Sequence, residues 1–182
     1  MPHKPLYGSK IHYLVRALGR LVWCGAGAAT ALGLVFWCVN PPSDPLFVAS
    51  FGGSTVFLFG LTRAPAAQPR SLVGGHLGGA LIGIICFHAF GEATWVYLLA
   101  VVLTLVFMLG TQTVHPPAGA NPLLMIHGHA GISAFLQPVG LGILILGLVA
   151  AAWSRLMPGM ARYPYNWVEK SPPSFFWGGW VE

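Results

Sequence analysis

The segment Thr113-Val-His-Pro-Pro-Ala-Gly-Ala-Asn-Pro122 constrains this chain more than any other, because stretches apolar enough to cross a bilayer flank it on both sides. Hydrocarbon offers no water to backbone N–H and C=O groups. Irregular peptide at that depth survives only where protein buries it or where it lines a wet cavity. Pro116, Pro117 and Pro122 each lack a donor and clash with the preceding turn, which rules out an ordinary helix. A place where something binds or passes is the expectation.

Only 7% of the 182 residues are charged and 55% are hydrophobic. That balance belongs to a polytopic membrane protein rather than a soluble domain. The net charge of +5 is confined to the tails and one loop, so there is no continuous basic face for nucleic acid. Cys24 and Cys38 would lie roughly 21 Å apart on one helix at about 1.5 Å per residue and cannot bridge. With Cys86 they are read as packing thiols. No cleavable targeting segment is expected, since Leu21–Val39 is longer than a signal core and lacks a small-residue cleavage site.

Four long apolar runs approach the roughly 20 residues a crossing needs: Leu21–Val39, Ser71–Phe90, Thr94–Val114 and Ile132–Trp153. Two shorter runs, Leu46–Leu61 and Pro122–Ile126, lie between them. If both also cross, all nine Lys and Arg residues fall on one side, with Asp44 and Glu92 opposite. Short cytoplasmic loops carry the Lys/Arg excess, so this arrangement puts both termini in the cytoplasm. The alternative is four spans plus two surface loops. The fold expected is an all-α polytopic membrane protein with four long helices and two short broken crossings, the breaks at Gly52–Ser54 and Pro116–Asn121. Halves 21–90 and 94–153 would then form an inverted repeat of three elements each, the plan in which paired broken helices build a midplane site. Residues 1–20 form a basic tail, and 154–182 an aromatic and proline-rich tail placed at the membrane interface or against a neighbouring subunit. Small-residue stripes Gly25/Ala29/Gly33 and Gly74/Gly78, Gly75/Gly79, Gly83 are read as helix packing, with self-association through them or through the aromatic tail expected. Trp23, Trp37, Trp95 and Trp153 fall near span ends, where interfacial anchors belong.

His115-Pro116-Pro117 within Thr113–Asn121 resembles the signature of the HPP family of small integral membrane proteins. Phe51-Gly-Gly-Ser54, Ala67-Gln-Pro-Arg-Ser-Leu-Val-Gly-Gly-His76 and the glycine-rich continuation to Gly83 resemble its other shared segments, in the same order, over about Asp44 to Trp153. Plant-plastid and cyanobacterial members are associated with nitrite transport, and most bacterial members have no assigned substrate. Some carry an added regulatory domain, which is not expected here. The resemblance therefore implies a channel or transporter for a small inorganic anion, nitrite first, in a bacterial inner membrane.

Candidate substrate or pore residues are His115, Pro116, Pro117, Gly119, Asn121, Gly52, Gly53, Ser54, His76 and Arg70. Short helices starting near Ser54 and Asn121 would offer unpaired N–H groups to an anion, although both residues could equally be plain N-caps. His115 could donate to an anion, move a proton or tie the loop to a neighbouring helix. His76, an ionisable residue within a span, is a functional candidate by default. Arg70, in the family-like segment, could attract anions, or it could simply anchor the cytoplasmic side, as could Arg63. No acidic residue lies inside a span, which argues against a cation pump. A competing class is a membrane metalloprotein or enzyme built on His127, His129, His115 and His76; a third is a structural or regulatory subunit. Spans lack carboxylate partners and Ser54 lacks an acidic orienter, so no enzyme activity and no cofactor are expected. The partners expected are a small anion, membrane lipids and further copies of the chain.

Overall fold

The computed structural model describes residues 7–39 and 49–175. Asp44, the start of the short run at Leu46, the first six residues of the basic tail and the last seven of the aromatic tail lie outside the described residues. Among those described the chain is helical, with four helices long and apolar enough to cross a membrane: Ile11–Val39, Pro69–Phe90, Thr94–Thr111 and Ile132–Trp153. Helix α1 (Tyr7–Val39) runs through the expected basic tail without a break. Its 33 residues make about 50 Å of helix, more than the ~30 Å of hydrocarbon, so the turns bearing Arg16 and Arg20 project at one end.

The first short element departs from expectation. Helix α2 (Ala49–Thr55) passes straight through Gly52, Gly53 and Ser54, and the winding changes only afterwards, to a wider π-helical turn over Val56–Gly60. Gly52–Ser54 is therefore not a break, and Ser54 sits in the last turn of α2 rather than at a helix start. Gly53 has a packing reason. A Cβ there would come within 3.0 Å of Pro117 Cβ.

Helix α3 (Pro69–Phe90) returns across the bundle and α4 (Thr94–Thr111) runs back beside it. The third expected run stops at Thr111 instead of Val114, because Gln112 adopts a left-handed conformation (φ 54°). Its N–H and that of Thr113 close onto Leu109 and Met108, a helix ending that uses up the last carbonyls. The chain then stays extended to His115, makes a 3₁₀ turn over Pro116–Ala120 and winds into α5 (Asn121–His127). After a short helix, α6 (Ile132–Ala134), π-helical residues Phe135–Leu141 lead into α7 (Gly142–Trp153). Pro138 sits inside that stretch, and its missing N–H accounts for the widened winding.

The glycines of α3 seat the second short run. A Cβ at Gly74 would lie 2.7 Å from Thr113, at Gly75 3.0 Å from His115, at Gly79 2.9 Å from the Ala118 carbonyl, and at Gly83 2.6 Å from Pro122 Cα. Farther along, the ring of Phe87 stacks on His129 at 4.8 Å. Residues 113–129 thus travel beside α3 from its arginine end to its far end. This stripe is consumed inside the protomer. Gly25 and Gly33 meet nothing, which leaves α1 as the small-residue face open to other contacts.

The two ends differ in chemistry. At one, the Arg70 side chain donates to the Thr111 carbonyl at 2.7 Å, and Arg155 to Tyr163 O at 2.8 Å. The tail folds over this end. Ser171 pairs with Gln112 and Val114, while Tyr165 and Asn166 N–H groups donate to Gln68 Oε1. From Tyr163 to Ser171 the tail therefore binds its own chain. At the other end Glu92 accepts from Tyr97 at 2.6 Å and pairs with His129 at 2.7 Å. Those two hydrogen bonds hold the Glu92 carboxyl below its ordinary value. A lowered carboxyl contributes stability above its unfolded pKa, and that contribution fades as pH falls through the folded one.

The glycine seat makes a testable distinction. Gly83→Ala should lower the thermal unfolding midpoint in mild detergent, since overpacking costs about 1–3 kcal/mol and the atoms met are backbone. Gly33→Ala, with open space around it, should leave the midpoint unchanged or raised. Equal effects would contradict the seat.

Candidate functional site

Four of the residues singled out from sequence meet at one buried point. Ser54 lies in the last turn of α2, His76 two turns into α3, His115 in the extended stretch before Pro116, and Asn121 opens α5. All four are sealed from solvent, none more than 1% exposed. Ser54 Oγ lies 2.8 Å from His76 Nε2 and 2.8 Å from His115 Nε2. The imidazole centroids are 5.0 Å apart, with Phe51 against His76 and Phe57 against His115.

The remaining partners fix both ring tautomers. His115 Nδ1 is 2.7 Å from the Ala66 carbonyl, which can only accept, so Nδ1 carries the hydrogen and Nε2 of the neutral ring accepts. Asn121 Nδ2 lies 2.9 Å from the His76 carbonyl and 3.0 Å from His76 Nδ1. A carbonyl must face the amide nitrogen rather than its oxygen, so Asn121 donates to both. His76 Nδ1 therefore accepts, and its Nε2–H donates to Ser54. The serine proton goes on to His115 Nε2, with the Ser50 carbonyl more distant at 3.1 Å. The result is a one-way chain of donors, Asn121 to His76 to Ser54 to His115 to Ala66, complete with both rings neutral.

Close approach builds this arrangement. Gly75 and Gly79 admit His115, Ala118 and Asn121 against α3, and Gly53 admits Pro117 against α2. Gln68 is buried and holds the turn that presents Ala66, donating to Thr62 and Ala64 carbonyls while accepting from the tail. Gly52, Gly53 and Pro116 are exposed and Pro117 and Gly119 half-buried, along the seam where α2 meets the 3₁₀ turn, outside the four buried residues. Arg70 stands apart, capping the end of α4. His127 and His129 lie at the Glu92 end, and among the described residues no three His, Cys, Asp or Glu side chains converge as metal ligands.

Sequence reasoning missed Gln68 as a clamp and passed over Thr104. Thr104 is fully buried beside Gly79, near Asn121, and its hydroxyl has no hydrogen-bond partner. A lone hydroxyl at the middle of the otherwise apolar run Leu98–Gly110 was the available signal.

A charge-poor bundle of this kind, with its polar groups gathered on an internal histidine–serine–asparagine chain, is an integral membrane protein. The sequence matches the family model "HPP, transmembrane region" over residues 15–164, and the chain belongs to the HPP family. It is 32% identical over 145 residues to a transmembrane protein of Dictyostelium discoideum, covering 75% of this chain and 46% of that protein. A second transmembrane protein of the same organism is 32% identical over 130 residues, covering 67% of this chain and 45% of the relative. The chain thus spans a little under half the length of these curated relatives. No solved structure matches it.

Ser54→Ala should destabilise the protein by about 1–3 kcal/mol for each imidazole nitrogen left unpaired. Thr30→Ala removes an exposed hydroxyl bonded only within α1 and should change little. Matching midpoints for the two variants would mean that the serine does not join the histidines.

Proposed function

We propose that the chain carries a small monovalent inorganic anion across a membrane together with a proton, with nitrite the candidate implied by the family resemblance. The observation behind this reading is the neutral donor chain through Ser54, His76, His115 and Asn121. A proton added to either imidazole is a lone buried cation, and the penalty for such an ion is several kcal/mol. An anion arriving with the proton offsets that penalty. Among the described residues, no carboxylate contacts this donor chain to do so from within. Proton and anion are then favoured as a pair over either alone.

The anion's route is the seam along Gly52, Gly53, Pro116 and Gly119, where small residues separate the surface from the network. Thr104 supplies a free hydroxyl next to Asn121. Two opposed helix N-termini do not form the site, because Ser54 lies in the last turn of α2. The sealed arrangement corresponds to an occluded state that opens to either side, and the packing is compatible with the inverted repeat: α1 lies on α7 as α4 lies on α3. Placement in a bacterial inner membrane with both termini cytoplasmic, and self-association through Gly25, Ala29 and Gly33, complete the proposal.

Purified protein in vesicles should take up nitrite faster when the outside is acidic, above the rate of protein-free vesicles, with alkalinisation outside in step. Ser54→Ala and His115→Gln variants that still fold should lose about tenfold or more, the equivalent of about 1.4 kcal/mol. Absence of flux for nitrite, nitrate, formate and chloride alike, or normal flux in both variants, would overturn the reading.

A further inference from the structure

At the arginine end a cavity of about 530 Å³ opens between α1, the end of the π-helical turn and the chain at Met160 and Ala161. Arg20 and Arg63 border it, and Leu21, Cys24, Phe59 and Met160 give it an apolar wall. Both arginines are exposed, and among the described residues neither has an ion-pair partner. Arg63 lies with its guanidinium 5.8 Å above the Tyr165 ring. Stacking of that kind engages the planar face and leaves the hydrogen-bonding edge available. Beside the cavity, Trp23 and Trp153 stack at 4.5 Å, the aromatic pairing of the membrane–water boundary.

Cationic rim, apolar wall and interfacial depth together describe a receptor for an amphiphile. The space is far larger than a small inorganic anion needs, and the residues of the Ser54–His76–His115 network do not line it. We propose that this cavity holds an anionic phospholipid, with the guanidinium groups of Arg20 and Arg63 on its phosphate diester and an acyl chain along Leu21, Cys24, Phe59 and Met160. Guanidinium matches phosphate oxygens with paired N–H donors. The face rich in arginine is the cytoplasmic one by the positive-inside rule, and basic pockets between helices on that side recognise acidic headgroups. The inference is independent of what the histidine network transports.

Cys24 is a built-in reporter, since it lines the cavity. In a Cys38→Ala/Cys86→Ala background, delipidated protein in detergent would be treated with a maleimide and the rate at Cys24 followed. Phosphatidylglycerol should slow labelling several-fold, whereas phosphatidylcholine and inorganic phosphate should not. Arg20→Gln/Arg63→Gln should abolish the protection, and native mass spectra should show phosphatidylglycerol adducts on the parent only. Equal protection by phosphatidylcholine would mean an unselective boundary lipid and overturn the proposal. Protection by inorganic phosphate alone would mean a free-anion site, and protection unchanged in the double variant would remove the arginines; either result overturns it. Should the double variant fail to fold, the three-ligand comparison on the parent decides.

Discussion

The bundle depends on the close approach between one face of α3 and the irregular segment that begins at Thr113. Peptide without helical hydrogen bonds cannot face lipid, so the chain must supply a wall near enough to cover it. Gly74, Gly75, Gly79 and Gly83 supply that wall by omitting side chains, and several of the atoms they admit are backbone. No larger residue could do this without moving the segment away from α3. Once the segment is seated, the rest follows in order. His115 and Asn121 reach His76, Pro117 reaches Gly53, and Ser54 falls between two imidazoles. Packing and chemistry share one cause here, because the glycines that seat the segment also set the spacing of the polar groups.

The polar groups are arranged to be complete without charge. Each imidazole has one nitrogen donating and one accepting, and the two backbone carbonyls, of Ala66 and His76, determine which is which. A buried network that is fully paired is rigid, and the same low dielectric makes any unpaired or charged member costly. Such a network can be stable at rest and still respond strongly to one proton. The exterior around it is apolar, with Leu98, Val102, Leu105, Leu144 and Leu148 exposed.

Much of this was legible in the sequence, and the failures have physical reasons. Long apolar runs announced four helices because crossing length and composition are local properties. Proline density announced the irregular segment for the same reason. Ser54, His76, His115 and Asn121 were each noticed, but their meeting could not be read, since the partners lie 22, 45 and 61 residues apart. Gly52-Gly53 looked like a break because glycine weakens helices. In fact the helix continues, and Gly53 serves the docking of Pro117. The π-helical turn after Thr55 and the left-handed Gln112 answer to packing and capping, which leave no periodic trace. Gln68 looked like part of a motif and proved to be the clamp joining a loop to the tail, a role visible only once residue 165 is placed.

The central claim is that both buried histidines are neutral and oppositely oriented, His76 carrying its proton on Nε2 and His115 on Nδ1. Nitrogen NMR of ¹⁵N-histidine-labelled protein in lipid at neutral pH tests this directly, with His76→Gln and His115→Gln variants assigning the signals. The account predicts one buried ring protonated only at Nε2, another only at Nδ1, and a shared coupling partner that disappears in Ser54→Ala. Identical tautomers for the two rings, or a doubly protonated ring at neutral pH, would contradict it.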